Sequence, residues 1–212
     1  MNPVTISFDA GVSDEFKARI QSALEVVLPR AGSAIDASDI KIVIGADAAQ
    51  VIPETGVGGS TENPYKILVW IDPEHSNVHN NIEKEIQSTV VHELHHAMRN
   101  RLYPWPGTLL DDVVGEGLAD HFDIEINGQH PKPWSQALSD EELAAYREKA
   151  EPHFHEQNTE SDYYKWVLGS EKDDIPHWAG YALGFRLVDD YLSKTGKKAS
   201  ELVSLKSSEF LK

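Results

Sequence analysis

Ile82, Ile86, Val90, Leu94 and Met98 stand four residues apart and put one continuous apolar stripe on a helix. No other pattern in the chain constrains the fold as strongly. A stripe this long has to be covered, so its helix must lie against a layer able to bury it. Asn80 and Glu83 resemble a capping box at its start, and Pro104 and Pro106 place its end near Leu102. The upstream residues supply candidates for the covering layer. Residues 4–10 (VTISFDA) alternate and read as a strand. Phe16, Ile20, Leu24 and Val27 or Leu28 have helical spacing, with Ser13 as N-cap and Pro29 as the stop. IKIVI (40–44) and KILVWID (66–72) read as two further strands. The segment between them, GADAAQVIPETGVGGSTENP, is rich in turn formers and reads as a loop.

Downstream the helical period persists. Leu110, Val114, Leu118 and Phe122 predict a helix over 108–128; others are expected over 139–151 and 178–193, the latter with Gly196 as its C-cap. A short helix follows Ser200, while residues 129–138 and 157–176 are the least regular. The expectation is an α+β fold: a single domain over 1–212, with a small N-terminal α/β layer (1–79) packed on a mainly helical part (80–212). A 212-residue chain can bury roughly 70% of its unfolded surface, so it needs no disulfide or metal to fold. A bound metal would then serve function. There is no cysteine, which removes thiolates and leaves imidazole and carboxylate as the strong ligands.

Lys and Arg number 19 against 35 Asp and Glu, for a formal net charge of -16. Such a surface repels phosphate backbones and anionic lipid, so neither nucleic acid nor a membrane is expected as partner. It can attract basic peptides, although an acidic surface also simply keeps a protein in solution. The N-terminus lacks a basic region followed by an apolar one, and no apolar run approaches the roughly 20 residues of a membrane span. A cytoplasmic protein is expected.

Within the striped helix lies His92-Glu93-x-x-His96. Residues four apart on a helix stack with about 5–6 Å between Cβ atoms, which lets two imidazoles reach one tetrahedral zinc. Glu93, one step round the helix, can meet a water on the metal instead of the metal itself. Catalytic zinc usually takes a third protein ligand, and GEGLADHF offers Glu116, twenty positions after His96, with Asp112 and Asp120 as substitutes. Asp120 lies four after Glu116 and can accept the far N–H of a liganding imidazole. Gly115 and Gly117 flank the glutamate, at roughly 1 kcal/mol each relative to alanine, as if this helix had to approach the motif helix closely.

HELHH followed by EGLAD resembles the gluzincin zinc metallopeptidases, the thermolysin-like group whose pattern is HExxH and then ExxxD. The resemblance implies His92 and His96 as ligands, Glu93 as general base, Glu116 as third ligand and Asp120 as the aspartate orienting His92. It implies hydrolysis of a peptide or protein substrate with Zn2+ as cofactor. It also implies an edge strand before the motif helix for an extended peptide, and KILVWID sits where that strand belongs. With HWAGYALGFRLV, the chain further resembles a family of small bacterial proteins described as predicted zinc-dependent proteases. That likeness suggests Tyr181, with His177, as the group facing the developing oxyanion. The substrate-stabilising His and Tyr motifs of thermolysin-like enzymes do not align.

Other readings use the same residues: a zinc-binding or regulatory protein without turnover on this scaffold, and a zinc hydrolase of a non-peptide substrate. Glu93 speaks against the former, since zinc binding alone does not require it. His95 can pair with His92 as a competing ligand, line a cleft or be solvated. His75, His79, His121, His153 and His155 read as surface or supporting residues. Gly56, Gly58 and Gly59 allow the loop 55–63 to act as a flap or as a flexible connector.

Overall fold

The computed structural model describes residues 4–212, and the fold is α+β: a four-stranded sheet together with a mainly helical remainder. Chain contacts divide it into two compact units, one of residues 1–101 with 126–128, the other of residues 102–125 with 129–212.

The first unit begins with strand β1 (Thr5–Phe8), helix α1 (Asp14–Ala34) and strand β2 (Lys41–Ala46). Strands β3 (Val57–Asn63) and β4 (Lys66–Ile71) follow, then helix α2 (Ser76–Asn100). The sheet order is β1-β2-β4-β3, with β1, β2 and β4 parallel and β3 antiparallel to β4. Ile42 and Ile44 of β2 and Ile67, Val69 and Ile71 of β4 are fully buried. Helix α2 packs against β3, β4 and α1. The stripe that predicted α2 is buried throughout: Ile82, Ile86, Val90 and Leu94 are inaccessible and Met98 nearly so.

Four expectations fail here for physical reasons. Pro29 does not stop α1, which continues to Ala34 although an internal proline typically costs about 3 kcal/mol. The last turn has compensating attachments: Ala31 is fully buried, and the Arg30 guanidinium donates to the Ile126 carbonyl. Helix α2 starts at Ser76, not Asn80. His75 is its N-cap, its Nδ1 accepting from Asn77 N at 3.2 Å, and the backbone kinks at Asn81. The presumed loop over 55–63 contains β3. VGGSTEN has neither alternation nor high strand propensity, and pairing with β4 makes it a strand. That pairing also places KILVWID inside the sheet, so the edge strand is β3 and not β4.

The second unit takes its scaffold from helix α3 (Leu109–Asn127, whose last two residues are grouped with the first unit), α4 (Asp140–Ala150), the one-turn α5 (Glu160–Tyr163) and α6 (Ala179–Thr195). These helices lie where the periodicity places them, except α5, which falls in a segment without apolar rhythm. Ser139 and Glu142 form a capping box at the start of α4, and Gly196 ends α6 in the left-handed conformation. Helix α5 runs directly into a wider π turn, Tyr164–Leu168. The short helix expected after Ser200 is two 3-10 turns, Ala199–Leu202 and Ser207–Leu211. Helices α3 and α6 meet backbone to backbone: a Cβ on Gly117 would lie 2.1 Å from the Gly184 carbonyl oxygen. The close approach made by Gly117 is to α6.

Candidate metal centre

The buried stripe fixes the rotation of α2 about its axis and thereby the face that carries His92 and His96. Both are half-buried, and their Nε2 atoms lie 3.0 Å apart with the rings inclined at 66°. Two imidazole nitrogens bound to one tetrahedral zinc at about 2.0–2.1 Å would be separated by about 3.3 Å. The pair is thus spaced like one edge of a zinc tetrahedron, and nitrogen donors of this kind suit that ion.

Glu93 is buried, at 7% exposure, and is held from the sheet. The Thr61 hydroxyl lies 2.8 Å from Glu93 Oε2 and 3.0 Å from the Glu93 carbonyl oxygen. Two residues earlier on the same face of β3, Gly59 leaves the room the glutamate occupies. A Cβ there would come within 2.8 Å of both Glu93 Cγ and Oε1 and 2.6 Å of Thr89 Cγ2. A glycine and a threonine that looked like loop residues therefore place the carboxylate. On the outer edge of β3 the Ile52 N–H reaches the Val57 carbonyl at 3.2 Å. Beyond Val57, among the described residues, no strand pairs with that edge.

In the second unit, α3 carries Glu116 and Asp120, one turn apart and buried at 5% and 3% exposure. Tyr163 at the end of α5 donates its hydroxyl to Glu116 Oε1 at 2.8 Å, and the Tyr181 hydroxyl lies 3.3 Å from that of Tyr163. Full burial, and then the Glu116 charge, raise the Tyr163 phenol well above its ordinary range, so it remains a donor at any physiological pH. Asp120 accepts from Ser135 Oγ at 2.6 Å and from the Trp134 indole at 3.3 Å. The sequence offered no signal for Tyr163, Trp134 or Ser135, which lie in the two segments that lack periodicity.

The other candidates are placed as follows. His177 is exposed and packs on Trp178, with ring centroids 4.2 Å apart. Tyr181, in the first turn of α6, is half-buried and meets Trp178 edge to face. His95 is fully buried, so it is not a solvated residue. His121 stacks on Phe185 and bonds its carbonyl at 3.1 Å, and burial lowers its pKa. His75 is structural, capping α2 and bonding the Pro53 carbonyl at 3.0 Å. His153 pairs with Glu156 at 2.9 Å on the surface.

No helix among the described residues is long and apolar enough to cross a membrane. The Uncharacterized protein YjaZ of Bacillus subtilis (strain 168) is 29% identical over 131 residues, which is 59% of this chain and 49% of that protein. The chain thus spans about half the length of this curated relative. Residues 20–212 match the family described as Predicted Zn-dependent protease (DUF2268). A match over nearly the whole length, taking in both the HELHH helix and Glu116, shows that the chain belongs to that family of predicted zinc-dependent proteases.

Proposed function

We propose that this chain is a gluzincin-type zinc metallopeptidase that hydrolyses peptide bonds, with His92, His96 and Glu116 holding the ion. Two imidazoles and a carboxylate are the donor types that suit such an ion. The observation that carries the reading is the pairing of two jobs on one helical turn. His92 and His96 turn their Nε2 atoms to one point, while Glu93 between them is held back by Thr61. A carboxylate restrained in this way is arranged for proton transfer.

Bound zinc supplies Lewis acidity, polarising the scissile carbonyl and lowering the pKa of a water towards about 7. Glu93 takes the proton of the attacking water and passes it to the departing amine. Thr61 keeps the carboxylate at one position through both transfers. The Tyr181 phenol is our candidate donor to the oxygen that gains charge, a role in which each hydrogen bond counts for more as the charge forms. His177, exposed against Trp178, is the alternative donor. Asp120, fixed by Ser135 and Trp134, is suited to accept from a liganding imidazole. An extended peptide can pair with the outer edge of β3 over residues 59–63, the stretch whose Gly59 and Thr61 seat Glu93. We place the protein in the cytoplasm, acting on peptide or protein rather than on nucleic acid or lipid.

Elemental analysis tests the metal assignment. Purified protein should contain one equivalent of zinc and the His96→Ala variant essentially none. Equal zinc in the two would refute the site. A second expectation concerns Thr61. Removing a hydrogen bond to a charged group typically costs about 1.5–3 kcal/mol, so Thr61→Val should lower kcat by about tenfold or more. Thr61→Ser should restore most of it, with zinc content unchanged in both. Full activity in Thr61→Val would show that Glu93 is positioned by something else.

A further inference from the structure

The turn that leads into β3 is pinned from two sides. Within it, the Thr55 and Gly56 N–H groups both reach the Ile52 carbonyl, at 3.1 and 2.8 Å. From outside, the start of α2 holds it. Asn77 Nδ2 donates to the Thr55 carbonyl at 2.9 Å, and His75, whose Nδ1 accepts from Asn77 N, donates from Nε2 to the Pro53 carbonyl at 3.0 Å. Gly56 has a φ of +72°, and a Cβ there would lie 2.5 Å from the His75 ring. This turn closes one end of the outer edge of β3. Along an antiparallel pair, alternate residues turn both main-chain groups to the partner strand and the others turn theirs away. The Gly56 carbonyl accepts from Asp72 and the Val57 carbonyl from Ile52, so Val57, Gly59 and Thr61 are the residues that face outward. The outward groups of Val57 are used up by the turn: its N–H bonds Thr55 Oγ1 at 3.2 Å and its carbonyl accepts from Ile52 N at 3.2 Å. Gln50 covers the next residue, its carbonyl oxygen lying 2.1 Å from where a Cβ on Gly58 would be. Gly59 and Thr61, which seat Glu93, come directly after the closed end.

We propose that the turn Ile52–Gly56 is a stop on the substrate edge, so that the protein trims peptides from their carboxyl end. The inference rests on the peptidase reading above and on pairing along β3. Antiparallel pairing is the more stable kind, and the bridge between Ile52 and Val57 is itself antiparallel. A peptide paired in that sense runs from Asn63 towards Val57, so its carboxyl end meets the turn. One of its residues lies opposite Thr61 and the second after that opposite Gly59, while the place two further on is occupied by Ile52. At most three residues can therefore follow the one opposite Thr61. Because Gly59 and Thr61 seat Glu93, the bond it serves lies along this stretch, and the released piece is one to three residues long. A longer carboxyl-terminal extension has to leave the edge just where the attacked bond must be held. Among the described residues of this unit, no strand takes the place opposite Gly59 or Thr61, so length on the amino side is free.

The test uses the full zinc-loaded chain and synthetic peptides of mixed sequence about a dozen residues long, with the cuts located by mass spectrometry. His96→Ala is the control that cuts nothing. Wild-type cuts should fall within the last three residues. Extending a cleaved peptide by about six residues at its carboxyl end should lower kcat/KM for the original bond by about 100-fold, the usual effect of misplacing a reacting group. The same extension at the amino end should change it by less than about threefold. Ile52→Pro deletes the N–H that closes the edge, and Asn77→Ala releases the turn from α2. Each should recover about tenfold for the carboxyl-extended peptide, the scale of one hydrogen bond. The full length restriction in both folded variants would overturn the proposal. Internal cuts by wild-type protein that are absent in His96→Ala, or trimming from the amino end, would overturn it even if neither variant folded, and would leave the peptidase standing. Wild-type protein that holds zinc and cuts none of the peptides would remove the peptidase reading itself, and this inference with it.

Discussion

Glu93→Gln should leave zinc bound and lower peptide cleavage by about 10²–10⁴-fold, the contribution usual for a well-placed general base. The substitution is conservative in every respect but one. Glutamine fills the same volume, so it still fits the space left by Gly59, where Glu93 Oε1 lies 2.8 Å from the position a Cβ would take. Its amide oxygen can still accept from Thr61, which lies 2.8 Å from Glu93 Oε2. What it cannot do is take a proton from water. The assay needs a peptide that wild-type protein cleaves and His96→Ala does not, with zinc content measured on the same samples. Loss of activity with zinc retained separates the base from the ligands. Cleavage at the wild-type rate would mean that Glu93 is not the base, and a protein that holds zinc without turning anything over would become the better reading.

What the sequence made legible follows from periodicity. Ile82 to Met98 predicted α2, and Leu110 to Phe122 predicted α3, because each stripe repeats over several turns and the structure buries every member. The motif residues were found for the same reason: His92 and His96 are recognisable only once they are known to share a helical face. Features made by pairing or by irregular chain left no such trace. Strand β3 reads as a turn-rich loop because Gly58, Gly59, Ser60 and Asn63 are poor strand formers, and only its register with β4 and the fit of Gly59 against α2 account for it. Hence the pattern points to β4 as the edge strand, one strand away from the true edge. Thr61 leaves no trace for that reason, and Tyr163 leaves none because it ends a four-residue helix in a segment with no rhythm. The candidate site residues stand in periodic helices. Thr61 and Tyr163, which bond Glu93 and Glu116, come from segments without that rhythm.

Gly117→Ala should destabilise the fold by about 2–3 kcal/mol, although alanine is the better helix former. Replacing a helical glycine by alanine is worth about 1 kcal/mol in propensity. Against it stands the crossing of α3 and α6, where the added methyl would lie 2.1 Å from the Gly184 carbonyl oxygen and 2.3 Å from its carbon. The reverse view is as tight, since a Cβ on Gly184 would lie 1.9 Å from the Val113 carbonyl oxygen. These neighbours are backbone, so no rotamer change relieves the clash and the helices have to separate. Overpacking a tight site typically costs 1–3 kcal/mol and occasionally more, here near or above the top of that range, which outweighs the propensity gain. For a chain of this size the melting temperature should fall by about 4–12 °C. Glu116 immediately precedes Gly117, so displacing α3 moves the carboxylate away from Tyr163 and zinc affinity should fall as well. Gly32→Ala is the matched control. Gly32 is exposed in α1 with no atom within 4 Å of a new Cβ, so there only the propensity gain remains and the protein should become slightly more stable. Thermal denaturation of the two metal-free variants beside wild type decides the matter. A Gly117→Ala protein as stable as Gly32→Ala would show that α3 and α6 do not meet at these glycines, and the seat of Glu116 would have to be rebuilt on other contacts.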